Sequence, residues 1–254
     1  LYTLFRRGDI YGGDVRLILK EDRTFASSIG LESEEKCLSF LESDFPGMAI
    51  VSEETRSGWP PSADRFWLVD PDDGTHNLLS GLPNFGTMLA LIENGLVTFT
   101  AIFLPFERAF GRSGLYVAGR GAGAWEWGDT PRPLAVSGKR NLTDAFLFVE
   151  GPSWRVTTAP FPQLVSSVRR WRINLATCWA GTRLVLGGVL PAGGDLMVSF
   201  GNQPWDNLPV ALLVEEASGR VSAFDGRPPT IGNCRNLVFS NGFLHDAALA
   251  VLGG

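Results

Sequence analysis

Hydrophobic and polar positions along the chain predict a series of short strands. Residues 66–69 form a continuous apolar run, which is typical of a strand buried on both faces, and the run ends at Asp70. Residues 87–92 and 96–104 are two further strand-like segments, and Asn94-Gly95 between them is a strong hairpin signal. We therefore expect a buried strand followed by a β-hairpin.

Helical periodicity occurs in both halves of the chain. The segment after residue 30 has apolar residues at helical spacing: Leu31, Leu38, Leu41 and Phe45. Glutamates such as Glu34 fall between them, so the pattern predicts a helix with an exposed acidic face. Residues 206–217 predict another helix, which we expect Asp206 to cap and Gly219 to end.

The mixture of strands and helices favours a layered α/β architecture of the mixed α+β kind, because both element types occur in each half. We expect one compact unit with two parts. The first part, residues 1–140, carries Glu53 and the acidic segment 70–75, and the second part, residues 141–254, carries Asp206.

Composition narrows the classes of partner. The chain has 254 residues, 44% of them hydrophobic, which is enough for a large core. Its net charge of −5 argues against nucleic acid and anionic membranes as partners. The three cysteines are widely spaced and odd in number, which favours free thiols and a cytoplasmic location. No apolar run approaches the roughly 20 residues of a membrane span, and the first residue, Leu1, leaves open a preceding segment.

The acidic segment after the predicted buried strand is the strongest chemical signal. Asp70, Asp72 and Asp73 place three carboxylates within four positions. Such charges at the end of a buried strand are costly unless a cation or a proton compensates them. Gly74 and Thr75 follow at a predicted helix start, where free backbone N–H groups favour a phosphate. The segment therefore indicates Mg²⁺-dependent phosphoryl chemistry.

Two more segments place carboxylates at the ends of predicted elements: Glu53-Glu54 and Asp206. Mg²⁺ prefers oxygen ligands and often bridges to a substrate phosphate. Two such ions about 3.5–4 Å apart can stabilise both the attacking and the leaving oxygen. Ligands from three chain segments would suit that arrangement.

A second interpretation of the acidic segment is a haloacid-dehalogenase phosphatase. Those enzymes place a nucleophilic aspartate in the order Asp-x-Asp-Gly-Thr, whereas this chain has one additional residue in Asp70-Pro-Asp-Asp-Gly-Thr75. Under this interpretation Asp70 itself would be phosphorylated.

Four segments, in the family's order along the chain, resemble the inositol monophosphatase family. Trp67-Leu-Val-Asp70-Pro-Asp-Asp73-Gly-Thr-His-Asn77 resembles the family's first signature, Trp-x-x-Asp-Pro-(Ile/Leu)-Asp-Gly-Thr-x-Asn. Pro204-Trp-Asp206, followed by Leu213-Val-Glu-Glu-Ala-Ser-Gly219, resembles its second signature. Ile50-Val-Ser-Glu53-Glu54 resembles the Gly-Glu-Glu that precedes the first, and Ala180-Gly181-Thr182 resembles a substrate-side segment.

The resemblance implies a role for each matching residue. Carboxylates of four residues and the backbone carbonyl of Asp72 would bind two or three Mg²⁺ ions: Glu53, Asp70, Asp73 and Asp206. The amides of Gly74 and Thr75 would hold the phosphate, Asp206, Gly181 and Thr182 would face the substrate, and Thr75, Asp73 and Glu53 would be catalytic. The implied reaction is direct attack of water on a small phosphate monoester, such as a sugar, polyol or amino-alcohol phosphate. We also expect a homodimer.

Three positions depart from the family pattern. Asp72 stands where the family has an apolar residue and adds negative charge, and we expect only its carbonyl to serve as a ligand. Family members carry an aspartate that helps to activate water, and Gly30 stands at that position here. Either a nearby glutamate, Glu32 or Glu34, replaces it, or the cation alone activates the water, or turnover is weak or absent. An acidic residue of inositol-specific members falls at Ser199, so inositol phosphate is not the obvious substrate. A 3′(2′),5′-bisphosphate nucleotidase and a metal- or ligand-binding member without turnover stay open as alternatives.

Overall fold

The computed structural model describes residues 17–19, 25–54, 61–151, 160–173, 176–190 and 193–253. Within these ranges the chain folds into two large sheets, a small two-stranded sheet and six α-helices. The small sheet pairs β1 (Leu17–Leu19) with β2 (Phe25–Ser27) in antiparallel orientation. Among the described residues, no helix has the length and apolar character needed to cross a lipid bilayer.

Seven strands form the larger sheet, in their order along the chain: β3 (Ala49–Ser52), β4 (Arg65–Asp73), β5 (Gly86–Glu93), β6 (Leu96–Phe103), β7 (Leu115–Gly119), β8 (Gly123–Trp127) and β9 (Arg132–Pro133). β3 and β4 are parallel, and all later neighbours in this sheet are antiparallel.

Five strands form the second sheet: β10 (Phe146–Glu150), β11 (Arg170–Ile173), β12 (Leu196–Phe200), β13 (Arg220–Ala223) and β14 (Asn236–Ser240). Their spatial order is β11-β10-β12-β14-β13, with parallel pairs on both sides of β10. This mixed architecture confirms the predicted α/β class. The division into two parts at residue 140 stays a prediction.

The helices are α1 (Ser28–Asp44), α2 (Thr75–Leu79), α3 (Phe161–Ser167), α4 (Thr177–Val185), α5 (Pro204–Glu216) and α6 (His245–Gly253). Short 3₁₀ helices cover Pro105–Phe110 and Leu142–Asp144. Buried apolar residues of both large sheets, α4 and α5 share one hydrophobic core, so the two sheets and these helices are packed as one body.

The apolar run at residues 66–69 lies in β4, which is buried from Phe66 to Asp73. Its pairing with β5 is regular up to Asp70 and resumes at Asp73 after a register shift. The intervening backbone turns to other partners, since the Pro71 carbonyl accepts hydrogen bonds from the hydroxyls of Ser33 and Thr87, each at 3.1 Å. The bulge therefore redirects the acidic end of the strand.

The predicted hairpin is confirmed at β5 and β6. Asn94 and Gly95 have φ angles of 51° and 78°. Positive φ at both central residues is the geometry that a two-residue type I′ turn requires, and it explains why this pair of residue types occurs there.

Helix α1 forms where the periodicity places it, but the prediction of its buried face is only partly confirmed, since Leu41 is 1% exposed while two other predicted apolar positions are exposed. Glu34 is only 5% exposed, whereas Leu31 and Phe45 are 41% and 37% exposed. The first half of the helix packs with a polar face, on which Ser33 binds the Pro71 carbonyl beside the acidic end of β4. A pattern of apolar residues alone does not reveal a helix face buried against polar groups.

The start of α5 also differs from the prediction. The N-cap is Gln203, and Asp206 is the third residue of the helix. The two residues form a reciprocal capping box, in which the Asp206 carboxylate accepts a hydrogen bond from the Gln203 backbone N–H at 2.7 Å. Asp206 is thus held at the helix start, although it is not the cap itself.

Helices α4 and α5 approach closely at Gly181. A Cβ at that position would lie 2.2 Å from Cγ1 of Val210. We expect Gly181→Ala to destabilise the protein, because overpacking costs about 1–3 kcal/mol. The helix propensity of alanine offsets up to roughly 1 kcal/mol of this cost. Chemical denaturation would measure the change.

Gly138→Ala is the matched control, because a Cβ there meets no other atom within 4 Å. Equal free energies of unfolding for the two variants would contradict the assigned contact between α4 and α5.

Candidate metal centre and active site

An acidic pocket lies where the end of β4 meets the starts of α2, α4 and α5. Its volume is about 250 Å³. Thirteen residues line it: Glu53, Asp70, Asp72, Asp73, Gly74, Thr75, His76, Asn77, Glu150, Ala176, Thr177, Asn202 and Asp206. The pocket unites all three acidic segments that the sequence analysis singled out.

A larger pocket of about 550 Å³ lies elsewhere, beside Arg108, Arg112 and Arg132. Its Glu126 carboxylate is already bound by Arg112 at 3.0 Å. The smaller pocket differs in that it contains a group of three carboxylates whose oxygens are close enough to share one metal ion.

Asp70, Asp73 and Asp206 form the centre of the acidic pocket. Each offers a carboxylate oxygen, and these three oxygens lie within 4.8 Å of one another. Asp70 and Asp73 come from the bulged end of β4, while Asp206 comes from the first turn of α5. Three convergent hard oxygen donors suit Mg²⁺, so the residues present fit the cation that the sequence predicts.

Backbone N–H groups fix the orientation of each carboxylate. The second residue of α4, Cys178, donates its N–H to Asp73 Oδ2 at 2.5 Å. The Asp72 N–H donates to Asp70 Oδ1 at 3.0 Å, and the capping box holds Asp206. One oxygen of each carboxylate is thereby anchored, which pre-orients the group for a ligand at the other oxygen.

The acid groups raise one another's pKa values. Burial raises the pKa of Asp70 well above its usual range, and the charges of Glu53 and Asp73 raise it further. Burial likewise raises the pKa of Asp206, with Asp73 and Glu53 adding to the shift. Burial raises the pKa of Asp73 to about 6, against the opposing hydrogen bond from Cys178. Burial and mutual repulsion thus favour the protonated forms of Asp70 and Asp206, and a bound cation would favour the ionised forms.

Glu53 follows β3 and faces the same pocket. Its backbone N–H binds the Val69 carbonyl at 3.2 Å, which ties it to β4. Its charge acts on Asp70, yet its carboxylate lies outside the three-residue group within 4.8 Å. The Asp72 carbonyl, a ligand in the sequence prediction, accepts a hydrogen bond from the Thr75 hydroxyl at 2.9 Å.

Gly74 and Thr75 line the pocket beside these carboxylates, as the phosphate prediction requires. Gly74 has a φ of +92°, and a Cβ there would lie 2.7 Å from both the Asn84 carbonyl oxygen and Cβ of Ala176. Only glycine fits this position. Thr75 then begins α2, so its backbone N–H belongs to the helix start.

Two predicted substrate residues do not line the pocket. Gly181 packs against Val210, and Thr182 is fully buried with its hydroxyl donating to the Trp179 carbonyl at 2.8 Å. The sequence analysis missed the residues that precede them on α4, because Ala176 and Thr177 form the wall instead. The residues that line the pocket therefore lie about one helical turn before the two predicted ones.

Two further polar residues of the pocket escaped the sequence analysis. Asn202 donates to the Thr177 hydroxyl at 2.9 Å, so the segment before α5 is joined to the start of α4. Glu150 comes from the end of β10 and stands in register with Ser199 on β12. Ser199 itself is buried and bonds to Asn207, so the acidic side chain on this wall of the pocket comes from β10.

The family model described as "Inositol monophosphatase family" matches residues 15–253. A Thermotoga maritima protein named fructose-1,6-bisphosphatase/inositol-1-monophosphatase is 30% identical over 231 residues, which cover 91% of this chain and 83% of the relative. The Mycobacterium tuberculosis histidinol-phosphatase is 30% identical over 94% of this chain and 88% of its own. A Pseudomonas aeruginosa protein named Nus factor SuhB is 30% identical over 82% of this chain and 75% of the relative.

A solved structure, described as Thermotoga maritima IMPase, has the same fold with a TM-score of 0.82. The match covers 100% of this chain and 93% of the other, at 27% identity. Sequence and structure therefore agree over nearly the whole chain, and they leave no support for the dehalogenase interpretation of Asp70.

The raised pKa values predict how stability depends on pH when no cation is present. A carboxyl whose pKa is raised by folding stabilises the fold below its unfolded value of 3.8, and for Asp73 this contribution is lost as the pH rises through about 6. Each pKa unit corresponds to about 1.4 kcal/mol. We therefore expect Asp73→Asn to gain melting temperature relative to the natural chain between pH 5 and pH 8 in a chelator.

With Mg²⁺ at pH 8, the natural chain should instead have the higher melting temperature, because only the natural chain keeps all three carboxylates. Melting curves of both proteins at the two pH values, with Mg²⁺ and with a chelator, measure the effect. A difference between the two proteins that is independent of pH and of Mg²⁺ would contradict the assigned electrostatics.

Proposed function

The chain belongs to the inositol monophosphatase family, a family of phosphatases, and from this premise we propose that it is a Mg²⁺-dependent phosphatase of small phosphate monoesters. One observation carries the proposal: Asp70, Asp73 and Asp206 converge within 4.8 Å beside the Gly74-Thr75 helix start. A cation site and a phosphate seat in the same pocket match the requirements of phosphoryl transfer.

In this mechanism the carboxylates of Asp70, Asp73 and Asp206 would hold the cation, and Glu53 lines the same pocket. Mg²⁺ bound there would supply Lewis-acid activation of water and would offset the charge of the phosphate. The backbone N–H groups of Gly74 and Thr75 bind phosphate oxygens. The Thr75 hydroxyl, which donates to the Asp72 carbonyl at 2.9 Å, would orient the attacking water.

The reaction proceeds by direct attack of water, without a phosphorylated side chain. Asp70 is committed to the cation group and receives the Asp72 N–H, so it serves as a ligand rather than a nucleophile. The buried thiol of Cys178 is also unsuitable, because burial and the charge of Asp73 raise its pKa well above the usual range. Hydrolysis then releases inorganic phosphate and an alcohol.

We assign the substrate to sugar, polyol or amino-alcohol phosphates. Relatives named for fructose-1,6-bisphosphate, inositol 1-phosphate and histidinol phosphate support this range. The pocket lining also includes Glu150, Thr177 and Asn202, which are hydrogen-bonding groups suited to hydroxyl or ammonium substituents. A bisphosphate nucleotidase has no specific observation in its favour.

A metal-binding member with weak turnover is the second candidate function. Gly30 favours it, because the position has no side chain that could activate water. A positioned general base typically contributes about 10²–10⁴-fold to the rate. A relative named Nus factor SuhB gives this alternative a further basis, since that name describes no phosphatase activity.

The assembly and location also belong to the proposal. We assign a homodimer, which sedimentation velocity would test. A cytoplasmic location accords with three free cysteines, of which Cys178 and Cys234 are buried.

The central experiment is phosphate release from a panel of sugar, inositol, histidinol and nucleotide monoesters with Mg²⁺. For the best substrate we expect Asp73→Asn to lower kcat/KM by at least about 100-fold, since even the supporting partners of a metal site are worth 10–100-fold. Asp144→Asn, at an exposed carboxylate in a 3₁₀ helix, should retain the natural activity.

A folded natural chain that releases no phosphate from any member of the panel would remove the phosphatase proposal and leave the metal-binding alternative. Turnover that survives unchanged in Asp73→Asn would instead show that the acidic pocket is not the active site.

A further inference from the structure

The Asp72 carboxyl is a buried ionisable group that the proposed mechanism does not use. The residue is 2% exposed. Its Oδ2 accepts a hydrogen bond from the Ser27 hydroxyl at 3.0 Å, while Oδ1 is buried and has no hydrogen-bond partner in the described part of the chain. A carboxyl oxygen without a partner is costly in a protein interior, so a proton or a cation must compensate it.

The backbone on both sides fixes where this carboxylate lies. The Asp72 N–H binds Asp70, and the Asp72 carbonyl accepts from Thr75. Both backbone groups are therefore engaged where the ladder to β5 is interrupted, which fixes the backbone from which this carboxyl extends. Asp72 lines the pocket, and the charges of Glu53, Asp73 and Glu54 act on it.

Gly30 provides the space that this carboxylate occupies. A Cβ on Gly30 would lie 3.2 Å from Asp72 Oδ2 and 3.2 Å from the Ser27 hydroxyl oxygen. These separations are tighter than most carbon–oxygen contacts, so a side chain at position 30 would require Asp72 or Ser27 to shift by a few tenths of an ångström. In this chain the carboxylate enters this space from β4, and α1 presents only backbone.

We propose that the Asp72 carboxylate is an additional cation ligand, which acts through Oδ1 together with Glu53 beside the Asp70–Asp73–Asp206 group. The missing side chain at Gly30 is then a condition for this ligand rather than a loss of acidic function. The inference rests on the proposed function only because it concerns the same pocket. Measurements of cation binding test it without any assay of phosphate release.

The competing account gives Asp72 a structural role alone. Ser27 caps α1, accepting the Gly30 N–H at 2.8 Å while it donates to Asp72. Under that account the carboxylate orients the cap and never meets a cation. The two accounts differ in what removal of the charge does, because an amide can still accept the Ser27 hydrogen bond.

Asp72→Asn is therefore the first test, with Mn²⁺ as the probe in calorimetry and in an electron paramagnetic resonance count of bound ions. We expect one fewer bound Mn²⁺ per chain, or at least about tenfold weaker binding, with no loss of melting temperature in a chelator. Ser27→Ala is the matched control, which should lower the melting temperature and leave the Mn²⁺ count unchanged.

The same number of ions with the same affinity in Asp72→Asn would overturn the proposal in favour of the capping account. If the phosphatase panel is active and Asp72→Asn binds Mn²⁺ normally, this inference fails while the proposed function stands. If the panel is inactive but the ion count falls in Asp72→Asn, the inference stands alone.

A second test supplies the carboxylate from the helix. Asp72→Ala removes the carboxyl beside Gly30. In that background, Gly30→Asp should restore Mn²⁺ binding. Gly30→Asp alone should lower the melting temperature, because the new side chain crowds Asp72. Non-additive effects of the two changes are expected for groups that share one space. Independent, additive effects on Mn²⁺ binding would contradict the shared volume.

A third test needs no variant. Crystals of the natural chain soaked in Mn²⁺ should show an anomalous peak within about 2.5 Å of Asp72 Oδ1, a separation typical of oxygen ligands. Peaks confined to the Asp70–Asp73–Asp206 group would overturn the proposal.

Discussion

Repulsion among buried carboxylates at the end of β4 is the constraint on which the rest of this structure depends. Three carboxylates converge within 4.8 Å, and burial together with mutual repulsion raises their pKa values. The fold tolerates the arrangement because the starts of α4 and α5 supply backbone N–H groups to Asp73 and Asp206. The anchored carboxylates stay close together, and their repulsion lowers the free energy of unfolding. Binding of a cation would raise it again.

The surrounding architecture follows from holding these groups in place. The bulge that ends the pairing of β4 with β5 turns Pro71 and Asp72 away from the ladder. Ser33 on α1 then binds the released Pro71 carbonyl, which explains why the first half of that helix buries a polar group there. Gly74 permits the abrupt turn into α2 that brings a helix start beside the carboxylates.

The sequence predicts the parts of this site that depend on local order along the chain. The buried strand ending at Asp70, the hairpin at Asn94 and the α/β class could all be inferred from apolar periodicity and turn residues. The buried face of α1 could not, because burial against polar backbone leaves no apolar pattern at Glu34. The pocket wall at Thr177 was also missed, since its place depends on how α4 packs against α5 and not on any motif. Asp72 shows the same limit, because only the folded structure reveals that Gly30 makes room for it.

Calorimetric titration of Mg²⁺ near pH 6, repeated in buffers with different ionisation enthalpies, tests the central claim most directly. The account predicts that Mg²⁺ binds and that protons are released on binding, because the cation replaces protons held by carboxyls such as Asp73, whose pKa is about 6. Absence of binding, or binding without proton release, would contradict the claim that these carboxylates form a cation site.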